Sequence, residues 1–167
     1  MMPEEIAKIT WNPCTREFTD IVFFEKNLRF KCKGCAVFCC KLGGPGVTEN
    51  DQKRLRAAGF EPMEYLVHQL ANQTGQRNVS ELVLKQKEDG SCIFLNYDTE
   101  DKVYRCSIYD LRPSLCRLYP FEFQRTSPNT GILRFIPCCN GLNASDGLLV
   151  DRKFIEKHLL GPIVDLF

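Results

Sequence analysis

The stretch FKCKGCAVFCC, residues 30–40, places Cys32, Cys35, Cys39 and Cys40 within nine residues. Further along come Cys92, Cys106, Cys116 and a second adjacent pair, Cys138 and Cys139, while Cys14 stands alone near the start. Thiolates are ligands for zinc and for iron-sulfur clusters, so metal ligation is the first chemistry this pattern suggests. Cys32 and Cys35, separated by Lys33 and Gly34, have the spacing of a tight turn. Such a turn aims both sulfurs at one ion and directs its own backbone N–H groups at them. Cys39 and Cys40 raise a different expectation. Neighbouring side chains in an extended segment point to opposite faces, so each is expected to serve a different place.

The N-terminal stretch MMPEEIAKITWNPC carries acid where a secretion signal carries positive charge, and no apolar run follows it. That predicts a cytoplasmic protein, and reducing cytosol disfavours disulfides. Ten cysteines in tight groups are also not the scattered small hydrophobes of an ordinary core. Cys92, Cys106, Cys116 and the last pair are too far apart in sequence to form a site alone, so they must fold back onto the first four. Eight thiols would satisfy two four-cysteine sites, one cubane cluster plus one zinc, or one cluster with reactive cysteines left over. Both histidines, His68 and His158, sit on amphipathic patterns and are assigned to no metal. Eight thiolates exceed the charge of two divalent ions by about four units, so cations should surround them. Arg29, Lys31, Lys33, Lys41, Arg105, Arg112 and Arg117 flank the cysteines and are read in that role. Arg117, in CRLYPF between a candidate ligand and two aromatics, should be buried and paired with an anionic centre, the thiolate-metal site itself or a carboxylate-bearing ligand beside it.

These residues must be positioned by a chain of 167 residues, 44% of them hydrophobic, enough for one domain spanning 1–167 with a real core. The net charge of +1, from 22 basic and 21 acidic residues, and the lack of a long basic block argue against nucleic-acid binding. No segment approaches the roughly 18 continuous apolar residues of a membrane span. FTDIVFFEKNLRFKC reads as a strand or hairpin leading into Cys32. After the loop at Gly43, Gly44, Pro45 and Gly46, Thr48 caps a helix reaching about Ala58, with Gly59 behind it. Pro62 opens a second helix over EPMEYLVHQLANQ, where Met63, Leu66, Val67 and Leu70 share a face. SELVLKQKEDGSCIFL and DKVYRCSIY read as short strands around a turn at Asp89 and Gly90. SIYDLRPSLCRLYPF alternates helical turns around a proline, and FEFQRTSPNTGILRFIP reads as a hairpin. The segment 151–166 is an amphipathic helix expected to break at Gly161 and Pro162. The class is α+β, a small domain, loop-rich where cysteine occurs and organised around a cysteine-ligated metal core.

CKGCAVFCC, CIFL, CSIYDLRPSLCRLYPF and CNG, in that order, resemble the successive motifs of the YkgJ-type cysteine-cluster family of zinc- or iron-chelating proteins. The likeness runs over a motif core of residues 30–141. The nine-residue gap between Cys106 and Cys116 comes with Tyr109, Arg112, Pro113, Arg117, Tyr119, Pro120 and Phe121 in place. Two departures are visible: three residues rather than two precede the adjacent pair, and Asn140 stands where proline is frequent. The resemblance implies metal ligation by Cys32, Cys35, Cys39, Cys40, Cys92, Cys106, Cys116 and Cys139, the last preferred because Asn140 and Gly141 follow it. Cys14 and Cys138 fall outside that set. Arg112, Arg117 and Tyr119 are implied as cofactor-side residues. A branch of the family is similar to flagellin lysine methylases. The cofactor implied is thus an iron-sulfur cluster, [4Fe-4S], or Zn2+, with S-adenosylmethionine as a further ligand in a redox or methyl-transfer role. The alternative is a zinc-stabilised accessory module that docks on a protein partner and catalyses nothing.

Overall fold

The computed structural model describes residues 3–36, 39–41, 43–68 and 79–167. Strands and short helices are mixed, as the α+β reading expects, and among the described residues no helix is long and apolar enough to cross a membrane. The chain divides into two compact units. One runs up to Lys33 and resumes from Leu118 to Val164; the other comprises Gly34–Arg117 and Asp165–Phe167.

The first unit is built on four antiparallel strands, β1 (Glu4–Trp11), β2 (Phe18–Phe23), β9 (Phe121–Ser127) and β10 (Thr130–Phe135). They form one sheet in the order β2-β1-β10-β9. The expected hairpin is β9 and β10, with Phe123 opposite Leu133. Strand β1 was not legible as a strand, because its register shifts between Glu5 and Ala7 and interrupts the alternation of apolar residues. Ile6, Ala7, Ile9 and Trp11 are all buried as a result. The short β3 (Arg29–Phe30), which leads toward Cys32 as expected, pairs with β11 (Leu148–Leu149). Phe30, Phe121 and Phe154 meet edge to face, with centroids 5.3 Å apart for Phe30–Phe121 and 5.8 Å for Phe121–Phe154.

The helical segment 152–164 corrects the expectation of a break at Gly161 and Pro162. Asp151 caps it through the Phe154 amide at 2.8 Å, and helix continues through the proline to Val164. A π turn at Ile155–Leu159 absorbs the irregularity just upstream. The proline lies within about a turn of the point where helical bonding restarts, where its missing N–H costs little.

In the second unit, α1 (Glu49–Ala57) starts at Thr48, whose side chain accepts from the Asp51 amide while Asp51 accepts from the Thr48 amide. Such a reciprocal cap is worth about 1 kcal/mol. The next helix is shorter than expected. α2 (Pro62–Tyr65) covers four residues and gives way to β5 (Leu66–His68), which pairs with β6 (Val79–Leu84) beside β4 (Gly46–Thr48). Leu66 and Val67 find cross-strand partners in Leu84 and Val83, so tertiary pairing overrides the helical spacing. His68 is therefore on a strand, and the part of the expected helix from Gln69 on, with Leu70, lies outside the described residues. The glycine loop has a packing reason: a Cβ on Gly44 would stand 2.5 Å from the Leu84 carbonyl oxygen.

A hairpin of β7 (Leu95–Asp98) and β8 (Val103–Cys106), a 3-10 turn at Tyr109–Leu111 and α3 (Ser114–Leu118) complete the cysteine-bearing region. The core of this unit includes Val47, Leu55, Tyr65, Leu84, Phe94 and Ile108, and Cys92 is one of its members. Cys40 and Cys106, partly buried, pack against it.

Candidate metal centre

Four elements carry thiols of this unit, of which Cys40, Cys92 and Cys106 lie in or against that core. Cys39 and Cys40 lie on a turn, Cys92 at an isolated bridge to Gln86, Cys106 at the end of β8 opposite Leu95, and Cys116 on α3. The Cys92 amide donates to the Cys40 carbonyl at 2.8 Å, which ties the first two together. Each of the five carries an electrostatic influence from others of the set. Among the described residues, no group of three or more Cys, His, Asp or Glu side chains is already placed to hold an ion. The five thiols influence one another without forming a closed cage among the described residues.

The adjacent pair differs from the extended-chain expectation. Residues 39–41 form a turn, and Cys40 donates to Cys39 across 3.7 Å between sulfurs. Two sulfurs on one tetrahedral ion at about 2.3 Å stand about 3.8 Å apart, so this separation matches the edge of one coordination site. The hydrogen bond from Cys40 holds the Cys39 thiol down to about 7 against the opposing effect of burial, with its own backbone amide and the charge of Arg112 assisting. The same bond, burial and the neighbouring thiols push Cys40 strongly up. Burial is the main cause that raises Cys92, Cys106 and Cys116, with Cys92 and Cys106 adding to the effect on Cys116. Thiols kept protonated by burial and mutual repulsion surrender their protons to a soft cation.

Backbone amides prepare three of the sulfurs. The Phe94 amide faces Cys92, the Ile108 amide faces Cys106, and the Gly141 amide donates to the Cys139 sulfur at 3.4 Å. Each donor lies two residues after its cysteine. At Cys92 and Cys139 the chain also closes a turn from the third amide to the cysteine carbonyl, Leu95 at 2.9 Å and Leu142 at 3.1 Å. An amide aimed at a sulfur favours the thiolate, and the same local geometry recurs at all three cysteines. Sequence reasoning had no signal for Phe94 and Ile108, because they act through backbone and their side-chain types carry no information.

The CxxC cysteines are divided between the units, Cys32 in the first and Cys35 in the second, and both are exposed. Gly34 and Ala36 on either side of Cys35 have left-handed φ values of 63° and 55°. For alanine that conformation costs about 1–2 kcal/mol, a local strain of the kind found at functional sites. Cys138 and Cys139 lie in the first unit. Cys138 meets the Tyr119 hydroxyl at 3.6 Å, whereas Cys139 receives the Gly141 amide. Cys139→Ser is therefore expected to lower metal content per chain, and Cys138→Ser and Cys14→Ser to leave it within error, measured by metal analysis of the purified variants. Equal loss in all three would show that the amide turn does not mark a ligand.

Most of the flanking cations have other partners. Lys31 and Lys33 both bind Asp146, at 2.6 and 3.0 Å, and hold its carboxyl down at about 2. Arg29 donates to the Gly147 carbonyl, Arg105 pairs with Asp98 and Asp101, and Lys41 sits over the Tyr104 ring. Arg112, fixed by its stack on Tyr109 and its bond to the Tyr109 carbonyl, is the cation whose charge favours the thiolates of Cys39, Cys106 and Cys116. Lys87 does the same for Cys92. Arg117 is held down by burial and by Arg54, with Asp165 and Asp51 as the opposing anions. The anions acting on it are thus carboxylates.

The comparisons with known proteins agree with a chelating site. An uncharacterized protein of Methanocaldococcus jannaschii is 28% identical over 137 residues, which cover 80% of this chain and 69% of that one. No solved structure matches. The family model CxxCxxCC, described as a "Putative zinc- or iron-chelating domain", matches residues 31–145, the segment that holds every cysteine except Cys14. With more than half of its length inside that match, the chain belongs to the CxxCxxCC family.

Proposed function

We propose that the protein binds an iron-sulfur cluster through thiolates, with Cys39, Cys40, Cys92, Cys106 and Cys116 as the donors of the unit centred on Gly34–Arg117. The observation that carries this reading is the local crowding of soft donors: Cys40, Cys92 and Cys106 lie in or against one core, Cys39 is 3.7 Å from Cys40, and Cys116 feels Cys92, Cys106 and Cys39. Cys35 is a further proposed ligand of the same unit, and Cys32 and Cys139 are the proposed ligands of the other unit. The residues fit such a group: the donors are soft, three sulfurs receive backbone amides, and Arg112 offsets negative charge. When bound, the cluster would supply one-electron chemistry. The chain's own contribution is to bury the donors beside Phe94 and Ile108 and to limit water at Cys116.

A second reading, a zinc site without catalysis, is favoured by the 3.7 Å between the Cys39 and Cys40 sulfurs. Each cysteine of a cubane caps a different iron, whereas two sulfurs at this separation suit one ion. Purification without oxygen separates the two. Brown protein with iron and acid-labile sulfide supports the cluster. Colourless protein with stoichiometric zinc, and no sulfide after anaerobic reconstitution, overturns it in favour of zinc.

A further inference from the structure

Asp51, on α1, is 1% exposed, and the thiol chemistry makes no direct use of it. Its carboxylate accepts from the Thr48 amide at 2.8 Å, from the Ser114 amide at 2.9 Å and from the Arg54 guanidinium. Ser114, the first residue of α3, is fully buried, and its hydroxyl stands 2.7 Å from Asp165 and 3.0 Å from Asp51. The hydroxyl has one hydrogen to give, and Asp165 is the nearer acceptor. Asp165 also accepts from Arg54 at 2.8 Å and from the Asn50 side chain at 3.1 Å. Burial alone would push the Asp165 carboxyl up, yet these three donors keep it below its ordinary range.

Two carboxylates are thus locked around the first residue of the short helix that carries Cys116. A buried charged network seldom adds stability over apolar packing of the same volume, but it does fix geometry, because each donor and acceptor has one satisfactory direction. The Ser114 amide and hydroxyl take separate carboxylates, which sets both the start and the rotation of α3. Cys116 follows two residues later, and its sulfur feels Cys92, Cys106 and Cys39.

We infer that Asp51 and Asp165 are positioning residues of the metal centre: through Ser114 they orient α3 so that the Cys116 sulfur faces the other thiols. The inference rests on the metal-binding reading above. It extends the functional part of the chain to Asp165, which lies beyond residue 145, where the family match ends.

The test is an anaerobic titration of the metal-free full chain with Co2+, whose thiolate-to-metal absorption reports how many sulfurs bind. Asp165→Asn is expected to weaken Co2+ binding about 10- to 100-fold, the usual range for a residue that orients a ligand. It should also lower the absorption per bound cobalt by the same amount as Cys116→Ser. Because Asp165 acts through Cys116, the double variant should be no worse than Cys116→Ser alone. Should Asp165→Asn not fold, Ser114→Ala removes only the hydroxyl link and carries the same expectation. Wild-type absorption and affinity in these variants, or additive losses in the double variant, overturn the positioning role while leaving metal binding intact. Absence of the thiolate band in the wild-type protein overturns the metal-binding reading and this inference with it.

Discussion

Cys116→Ser should lose metal while keeping most of its apoprotein stability. A four-thiolate site releases about 10–16 kcal/mol on binding zinc, or about 3 kcal/mol for each ligand, so removing one sulfur weakens binding by about 100-fold. Without metal the Cys116 thiol is held protonated by burial, and serine replaces one small neutral group with another. The apoprotein should therefore melt within a few degrees of wild type, a shift of about 1 kcal/mol. Metal analysis by mass spectrometry and a thermal melt of the chelated protein check both halves. Full metal content in Cys116→Ser would remove this cysteine from the ligand set. Loss of the fold without metal would show that it serves packing.

Chelation of the wild-type protein should lower its melting temperature by about 10 °C. Metal at a thousand times its dissociation constant stabilises the folded state by about 4 kcal/mol. In a chain of this length each kcal/mol shifts the midpoint by about 2–4 °C. The effect should be large because the donors come from segments as distant as Cys39 and Cys116, and an ion shared among them closes that loop. Calorimetry of the isolated, chelated and reloaded protein reads it directly. An unchanged melting temperature after complete removal of metal would mean that the thiols are arranged by the fold alone and that the ion adds nothing to it.

How much of this could be read from the residues depends on how local the determining interactions are. The start of α1 was legible because Thr48 and Asp51 cap each other across three residues, and the β9–β10 hairpin because both strands and their turn are contiguous. β5 was not, since the partners of Leu66 and Val67 lie on β6, well downstream, and the same residues also spell a helix face. The break expected at Gly161 and Pro162 does not occur: helix runs on to Val164 past a π turn at Ile155–Leu159 that no residue type signals. At the candidate centre the cysteines announced themselves by number and spacing. The closeness of Cys39 to Cys40 did not, because it depends on the chain turning at 39–41. The amides of Phe94, Ile108 and Gly141, and the buried Asp51 and Asp165 around Ser114, are tertiary facts that composition cannot carry.

Both units are assembled from pieces separated along the chain, and this bears on the order in which the protein can mature during synthesis. β1 pairs with β10, so Glu4 waits for Phe135 to leave the ribosome. Ser114 likewise waits for Asp165, 51 residues further along the chain. At roughly 5–20 residues per second that interval is about 3–10 s. Through nearly all of it the thiols from Cys32 to Cys116 are already translated while α3 still lacks one of its two carboxylate anchors. Nascent chains in that window would present loosely held cysteines to any soft ion or oxidant nearby. Cells that make this protein gain by delivering its metal after release, or by shielding those cysteines until the chain has closed.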